Sequence, residues 1–287
     1  MDDMIEIAGL RDYPLARRGF VMTSLISGFT LATTRVEAQA IHTDSEGLAT
    51  GEAKVPVTGG DMPVYYARPS TGGPFAIVLV NEEIFGVHEY IQDVCRRLAK
   101  AGYLAVAPEI YFRSPDFAKM TDSSQIMREV IFKTPDDQIW ADLDATLAWA
   151  AKNQGDAARM GEVGFCFGGR ITWEYAAHNP NLKAAVAYYG FIKNPTSPIK
   201  PKTVLDIADQ INCPLLGLYG GQDPGNPPDL VHEAEAKAKA AGKTVEIMIY
   251  PDAPHGFHAD YRPSYREADA KDAWARTLAW FKKYLAA

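Results

Sequence analysis

With 287 residues, 47% apolar and 23% charged, the chain is long enough to bury one large core without disulfide or metal staples. Its formal net charge of −7 argues against nucleic acid as a partner, because that contact needs a basic stripe. The three cysteines, Cys95, Cys166 and Cys213, form no CxxC pair and no zinc-type spacing, so a disulfide framework is not expected; nor is a metal or an organic cofactor.

Residues 1–40 read as a leader. Arg17 and Arg18 precede a moderately apolar stretch, followed by the small-residue pattern Val36-Glu37-Ala38. This resembles a twin-arginine export signal and predicts a periplasmic protein. The stretch is too short and too rich in Ser, Thr and Gly for a membrane span. The competing reading is an amphipathic helix lying on a cytoplasmic domain.

From about residue 50 strands and helices alternate. GEAKVPV and MPVYYARP flank the turn Thr58-Gly59-Gly60-Asp61, which predicts a β-hairpin. FAIVLVN is continuously apolar, as befits a strand buried on both faces. A helix is expected over 89–101 with Val94, Leu98 and Ala101 inward and Cys95 as a small core residue, followed by the buried strand LAVAPE. The stretch 110–135 is irregular, with a short helix near 123–132. A helix follows over 136–152, capped by Thr134 or Asp136 and burying Ile139, Leu143, Leu147 and Ala150. GEVGF then leads into the helix GGRITWEYAAH. The strand AAVAYY precedes a proline-containing loop over 190–202. PLLGLYG, next to Cys213, is a strand before the helix PDLVHEAEAKAKAAG, and VEIMIY precedes a closing helix over 265–285. This alternation predicts an α/β fold, a mostly parallel sheet covered on both faces, over residues 50–287.

Three motifs fall at predicted strand ends. Gly164-Phe165-Cys166-Phe167-Gly168 is the nucleophile elbow G-x-S-x-G with Cys in place of Ser, between a strand and a helix. Its glycines are needed because side chains there would strike the crossing strand and helix. The following helix N-terminus favours a thiolate. Asp223, in Gly220-Gly221-Gln222-Asp223, follows a strand and points to the crevice where α/β proteins bind ligands. His255, in Pro254-His255-Gly256-Phe257, follows the last strand. The order nucleophile, acid, histidine is that of the α/β-hydrolase fold. In these roles His255 takes the thiol proton and later protonates the leaving oxygen, while Asp223 holds the imidazole tautomer. A thiolate leaves easily, so an activated ester or lactone suits this nucleophile better than an amide.

On these motifs, with Glu83-Ile84-Phe85-Gly86, the chain resembles the dienelactone hydrolase family (carboxymethylenebutenolidase-like proteins) from about Val55 to its C-terminus. The resemblance implies an α/β-hydrolase that cleaves a carboxylic ester or lactone through an acyl-thioester. It gives Glu83 contact with the resting thiol, and the N–H groups of Ile84 and Phe167 the oxyanion hole. Founding members grip a substrate carboxylate with two arginines, one of them four residues after the catalytic histidine. Here that position is Ala259, so dienelactone itself is not the expected substrate. Arg113, Arg262 and Arg266 are the possible replacements, and Arg113, Tyr111, Phe257 and His258 are the candidate substrate contacts. The rival readings are a thiol redox or detoxifying protein and a non-catalytic binding module on the same fold.

Overall fold

The computed structural model describes residues 41–115 and 117–286; the leader lies outside them. The eight strands are β1 (Leu48–Val57), β2 (Gly60–Pro69), β3 (Phe75–Asn81), β4 (Leu104–Pro108), β5 (Gly155–Phe165), β6 (Ala184–Tyr188), β7 (Leu215–Gly220) and β8 (Val245–Tyr250). They form one sheet in the order β1-β2-β4-β3-β5-β6-β7-β8. β1 and β2 are the expected hairpin, and β2 also pairs antiparallel with β4; the other pairings are parallel. Every residue of β4, β6 and β7 is buried, as is β3 beyond Phe75, so both faces of the sheet are covered. Each Val, Ile or Leu so enclosed contributes about 1.5–3 kcal/mol.

Seven α-helices are present among the described residues: α1 (Glu89–Lys100), α2 (Ser123–Glu129), α3 (Asp136–Lys152), α4 (Phe167–His178), α5 (Val204–Ile207), α6 (Pro228–Ala240) and α7 (Glu267–Tyr284). α1 buries Val94, Cys95 and Leu98, but Ala101 is its exposed C-cap rather than an inward residue. α3 buries Ile139, Leu143, Leu147 and Ala150 as expected. Its cap differs. Pro135 takes the N-cap position without a side-chain bond, Thr134 donates its hydroxyl to the Val130 carbonyl, and Asp136 turns inward to Arg170 and Lys200. Compensating two buried cations outweighs capping one helix end.

Two further departures lie in β5 and the proline loop. β5 starts six residues before the apolar GEVGF run, at Gly155, and its extension has a register irregularity against β3 between Ala76 and Ile77. Asp156 to Arg159 are not buried there, so the segment carries no hydrophobic signal. The single turn α5, just after the proline loop, is held by a reciprocal capping box between Thr203 and Asp206.

Candidate active site

Cys166 occupies the turn between β5 and α4 with φ 57° and ψ −117°, a conformation that side chains rarely adopt. The neighbouring glycines have no room for anything larger. A Cβ on Gly164 would lie 2.1 Å from the Gly168 carbonyl oxygen, and one on Gly168 would lie 2.3 Å from the Asn81 carbonyl oxygen. The Cys166 N–H donates to the Tyr188 carbonyl on β6, which ties the turn to the sheet. The sulfur is buried, and burial together with the nearby Glu83 charge pushes the thiol well above its ordinary value. These two effects oppose the helix N-terminus and favour the neutral thiol over the thiolate that the elbow alone suggests.

Asp223 stands just beyond β7 and His255 five residues beyond β8. Their side chains meet, with His255 Nδ1 2.7 Å from Asp223 Oδ2. Asp223 also accepts from the Gly225 N–H at 2.9 Å and from the Asn226 side chain at 2.9 Å. Burial opposes ionisation of Asp223, but the His255 charge and these hydrogen bonds outweigh it and hold the carboxyl below its ordinary value. The His255 ring stacks on Phe191 at 5.3 Å and meets the edge of Tyr189 at 5.0 Å. Both aromatics sit at or just beyond the end of β6, so three strand ends jointly set the imidazole plane.

Glu83 lies beyond β3, fully buried. Its Oε2 accepts from the Tyr261 hydroxyl at 2.6 Å and from Arg262 Nη2 at 3.0 Å, with His88 Nε2 at 3.5 Å. Burial would raise this carboxyl, yet Arg262 and His88 outweigh it and bring it down to about 2. Glu83 is thus ionised, and its other oxygen, Oε1, is buried without a hydrogen-bond partner. Neither the Ile84 nor the Phe167 N–H is used in a backbone hydrogen bond among the described residues, and the Phe167 N–H is directed at the Cys166 sulfur.

The remaining candidate contacts divide. Tyr111 is buried against Phe117, and its hydroxyl has no hydrogen-bond partner among the described residues. Phe257 is wedged between Tyr188, Tyr189 and Tyr250 as packing. His258 is 2.7 Å from the Tyr90 hydroxyl inside an aromatic cluster; burial, then Arg97, lowers it to about 3 and keeps it neutral. Arg113 is turned away from the expected role, clamping both oxygens of Asp142 and the Thr58 carbonyl. Arg266 is exposed and bonds to backbone carbonyls of its own loop. Of the three arginines only Arg262 is seen beside the candidate residues. Tyr261 reads from the sequence as a pocket-lining aromatic and is instead a hydrogen-bond partner of Glu83, whereas the role of Asn226 beside Asp223 has only the Asp-x-x-Asn spacing as its sign in the sequence.

Cys95 and Cys213 are free and buried, and burial pushes both thiols up. A cation site is suggested among the described residues only by His42, Glu89 and Asp93. The Arg96 guanidinium already bonds both carboxylates, so the group is an ion-pair cluster.

A strained cysteine elbow, an acid and a histidine at the ends of β5, β7 and β8 of a mostly parallel sheet define an α/β-hydrolase framework. The chain belongs to the dienelactone hydrolase family, whose model matches residues 62–285. It is 51% identical over 272 residues to a Methylorubrum extorquens protein named "Putative carboxymethylenebutenolidase", covering 94% of each chain. An Escherichia coli K12 protein of the same name is 48% identical, over 91% of this chain and 97% of its own. A crystal structure titled as a dienelactone hydrolase of Klebsiella pneumoniae, also with the qualifier "Putative", is 52% identical, with a TM-score of 0.81, over 83% of this chain and 99% of its own. No helix among the described residues is long and apolar enough to cross a membrane.

Proposed function

We propose that this protein hydrolyses a carboxylic ester or lactone by nucleophilic attack of Cys166, with His255 as acid and base and Asp223 as its orienting partner. The observation that carries the reading is the buried 2.7 Å His255–Asp223 contact in a site whose elbow holds Cys166 at positive φ. Family membership and relatives bearing a lactone hydrolase's name support the substrate class.

The reaction starts from a neutral thiol. Its proton leaves to His255, and the sulfur bonds to the substrate carbonyl carbon. The carbonyl oxygen becomes an oxyanion stabilised by the Ile84 and Phe167 N–H groups. The C–O bond breaks as His255 protonates the leaving oxygen, giving an acyl-thioester; in a lactone the alcohol stays tethered to the acyl group. Water then attacks the thioester with His255 as base, and the carboxylic acid and the thiol are released. Tyr111, whose hydroxyl has no protein partner, is the candidate polar contact for substrate.

The test is hydrolysis of p-nitrophenyl acetate and a simple lactone by wild type, Cys166→Ala and His255→Ala at neutral pH. Each variant is expected to lose roughly a thousandfold or more in kcat. Retention of activity by Cys166→Ala refutes the mechanism. The leader supports a second proposal, export through the twin-arginine route. Replacing Arg17 and Arg18 by lysine should leave the protein in the cytoplasmic fraction, and an unchanged distribution would exclude that route.

A further inference from the structure

We infer that Glu82 and Glu109 share one proton and act together as a positioning pair for the backbone segment that carries the Ile84 N–H. The inference rests on the proposed role of Ile84 as an oxyanion donor. Glu82 and Glu83 are adjacent, but their side chains have different partners. Glu83 bonds Tyr261 and Arg262, whereas Glu82 Oε1 accepts from the Ile110 N–H at 3.0 Å, beyond β4. From that same side Glu109 returns the contact, its Oε2 accepting from the Val87 N–H at 3.0 Å. The segment 82–87 is therefore pinned to the end of β4 at both of its ends, with Ile84 between.

One oxygen on each carboxyl remains, Glu82 Oε2 and Glu109 Oε1, and each is buried with no donor supplied by a protein N–H or O–H. The two carboxyls perturb each other's ionisation at close range. Two carboxylates offer only acceptors, so a hydrogen bond between these two orphaned oxygens requires a proton on one of the groups. No Lys or Arg forms an ion pair with either group among the described residues. The ionisable groups facing the pair are His88 from the segment after β3 and Tyr111 from the loop after β4. Burial and then the Glu109 charge hold the Glu82 carboxyl well above its ordinary value, while burial raises Glu109 itself. The proton therefore resides on Glu82 and is donated to Glu109.

Gly86 is shaped around this contact. Its φ is +80°, and a Cβ there would lie 2.8 Å from Glu109 Oε1. The glycine lets the backbone wrap closely round the Glu109 carboxyl. When the shared proton is removed, two like charges face each other with no cation between them, and the clamp on segment 82–87 is forced apart. The Ile84 donor then leaves the position in which it meets the oxyanion.

The experiment compares wild type, Glu82→Gln and Glu109→Gln, with Cys166→Ala as control, using p-nitrophenyl acetate at neutral pH and at mildly alkaline pH. Misplacing one oxyanion donor should lower wild-type kcat by about tenfold or more at the alkaline pH, reversibly and with KM little changed. Each glutamine variant retains one carboxyl and an amide donor, and its kcat should fall less than about twofold over the same interval. Infrared difference spectra at neutral pH should show loss of a protonated-carboxyl C=O band in both variants. An equal alkaline loss in all three proteins, or no lost band in either variant, overturns the pair. Should Glu82→Gln fail to fold, the half-buried Glu109→Gln decides alone. Activity persisting in Cys166→Ala would instead refute the hydrolytic reading, and the infrared comparison would still decide whether the proton is shared.

Discussion

Removing Arg262 alone should do more damage than removing Arg262 and Glu83 together. Arg262 Nη2 and Glu83 Oε2 are 3.0 Å apart and almost wholly excluded from water. At an effective dielectric of about 20, opposite charges at that distance attract by about 5 kcal/mol. The proton equilibrium gives a smaller figure. Bringing the carboxyl from an ordinary 4.5 to about 2 corresponds to about 3 kcal/mol. The second already contains the opposing burial penalty, so it is the better guide to net stability. Because the folded-state value is depressed, this stabilisation is fully present above pH 4.5 and is lost as pH falls through about 2. In Arg262→Met the penalty for burying Glu83 remains without its main compensation. That variant should lose about 3–5 kcal/mol, a fall in Tm of roughly 6–20 °C. In Arg262→Met/Glu83→Gln no buried charge is stranded, and at least half of the loss should be recovered. Guanidinium denaturation of wild type, both single variants and the double variant measures the coupling. If the two single losses simply add, the pair is not the charge-compensated unit described here.

Three more outcomes follow from the same contacts. Asp223→Asn should lower kcat by roughly 10²–10⁴-fold with little change in KM, since the amide does not hold the same imidazole tautomer; steady-state kinetics near the wild-type rate would contradict the proposed role. Tyr111→Phe removes a buried hydroxyl with no protein partner, so stability should stay equal or rise by about 1 kcal/mol. A simultaneous fall in kcat/KM would show that substrate supplies the missing partner, and unchanged kinetics would leave Tyr111 as packing. Arg113→Met should cost about 1–3 kcal/mol in thermal or chemical unfolding through loss of the clamp on Asp142, with kcat unaltered. A selective loss of turnover would return Arg113 to the site.

Much of the fold was legible because its signals are local. The apolar runs at Phe75–Asn81, Leu215–Gly220 and Val245–Tyr250 are strands, and the 3.6-residue spacing of Ile139, Leu143 and Leu147 is a helix over the expected span. The glycines around Cys166 could be read from steric necessity alone, and their close approaches have the expected cause. The start of β5 was hidden because its residues Asp156 to Arg159 face water, where no hydrophobic pattern marks a strand.

Within the site, the sequence by itself determined the residue types, their order and the strand ends on which they fall. The tertiary structure decided which charges meet. Arg262 follows His255 by seven residues, a spacing with no local meaning, yet the chain turns back at Gly256, with φ 73°, and reaches Glu83 on the opposite side of the sheet's central strands. Arg113, in contrast, is taken up by Asp142. For Cys166 the local pattern pointed to a thiolate, and only the family resemblance implied a resting thiol. A helix N-terminus is visible from local pattern, but burial and a nearby carboxylate are long-range quantities that exist only once the sheet has assembled.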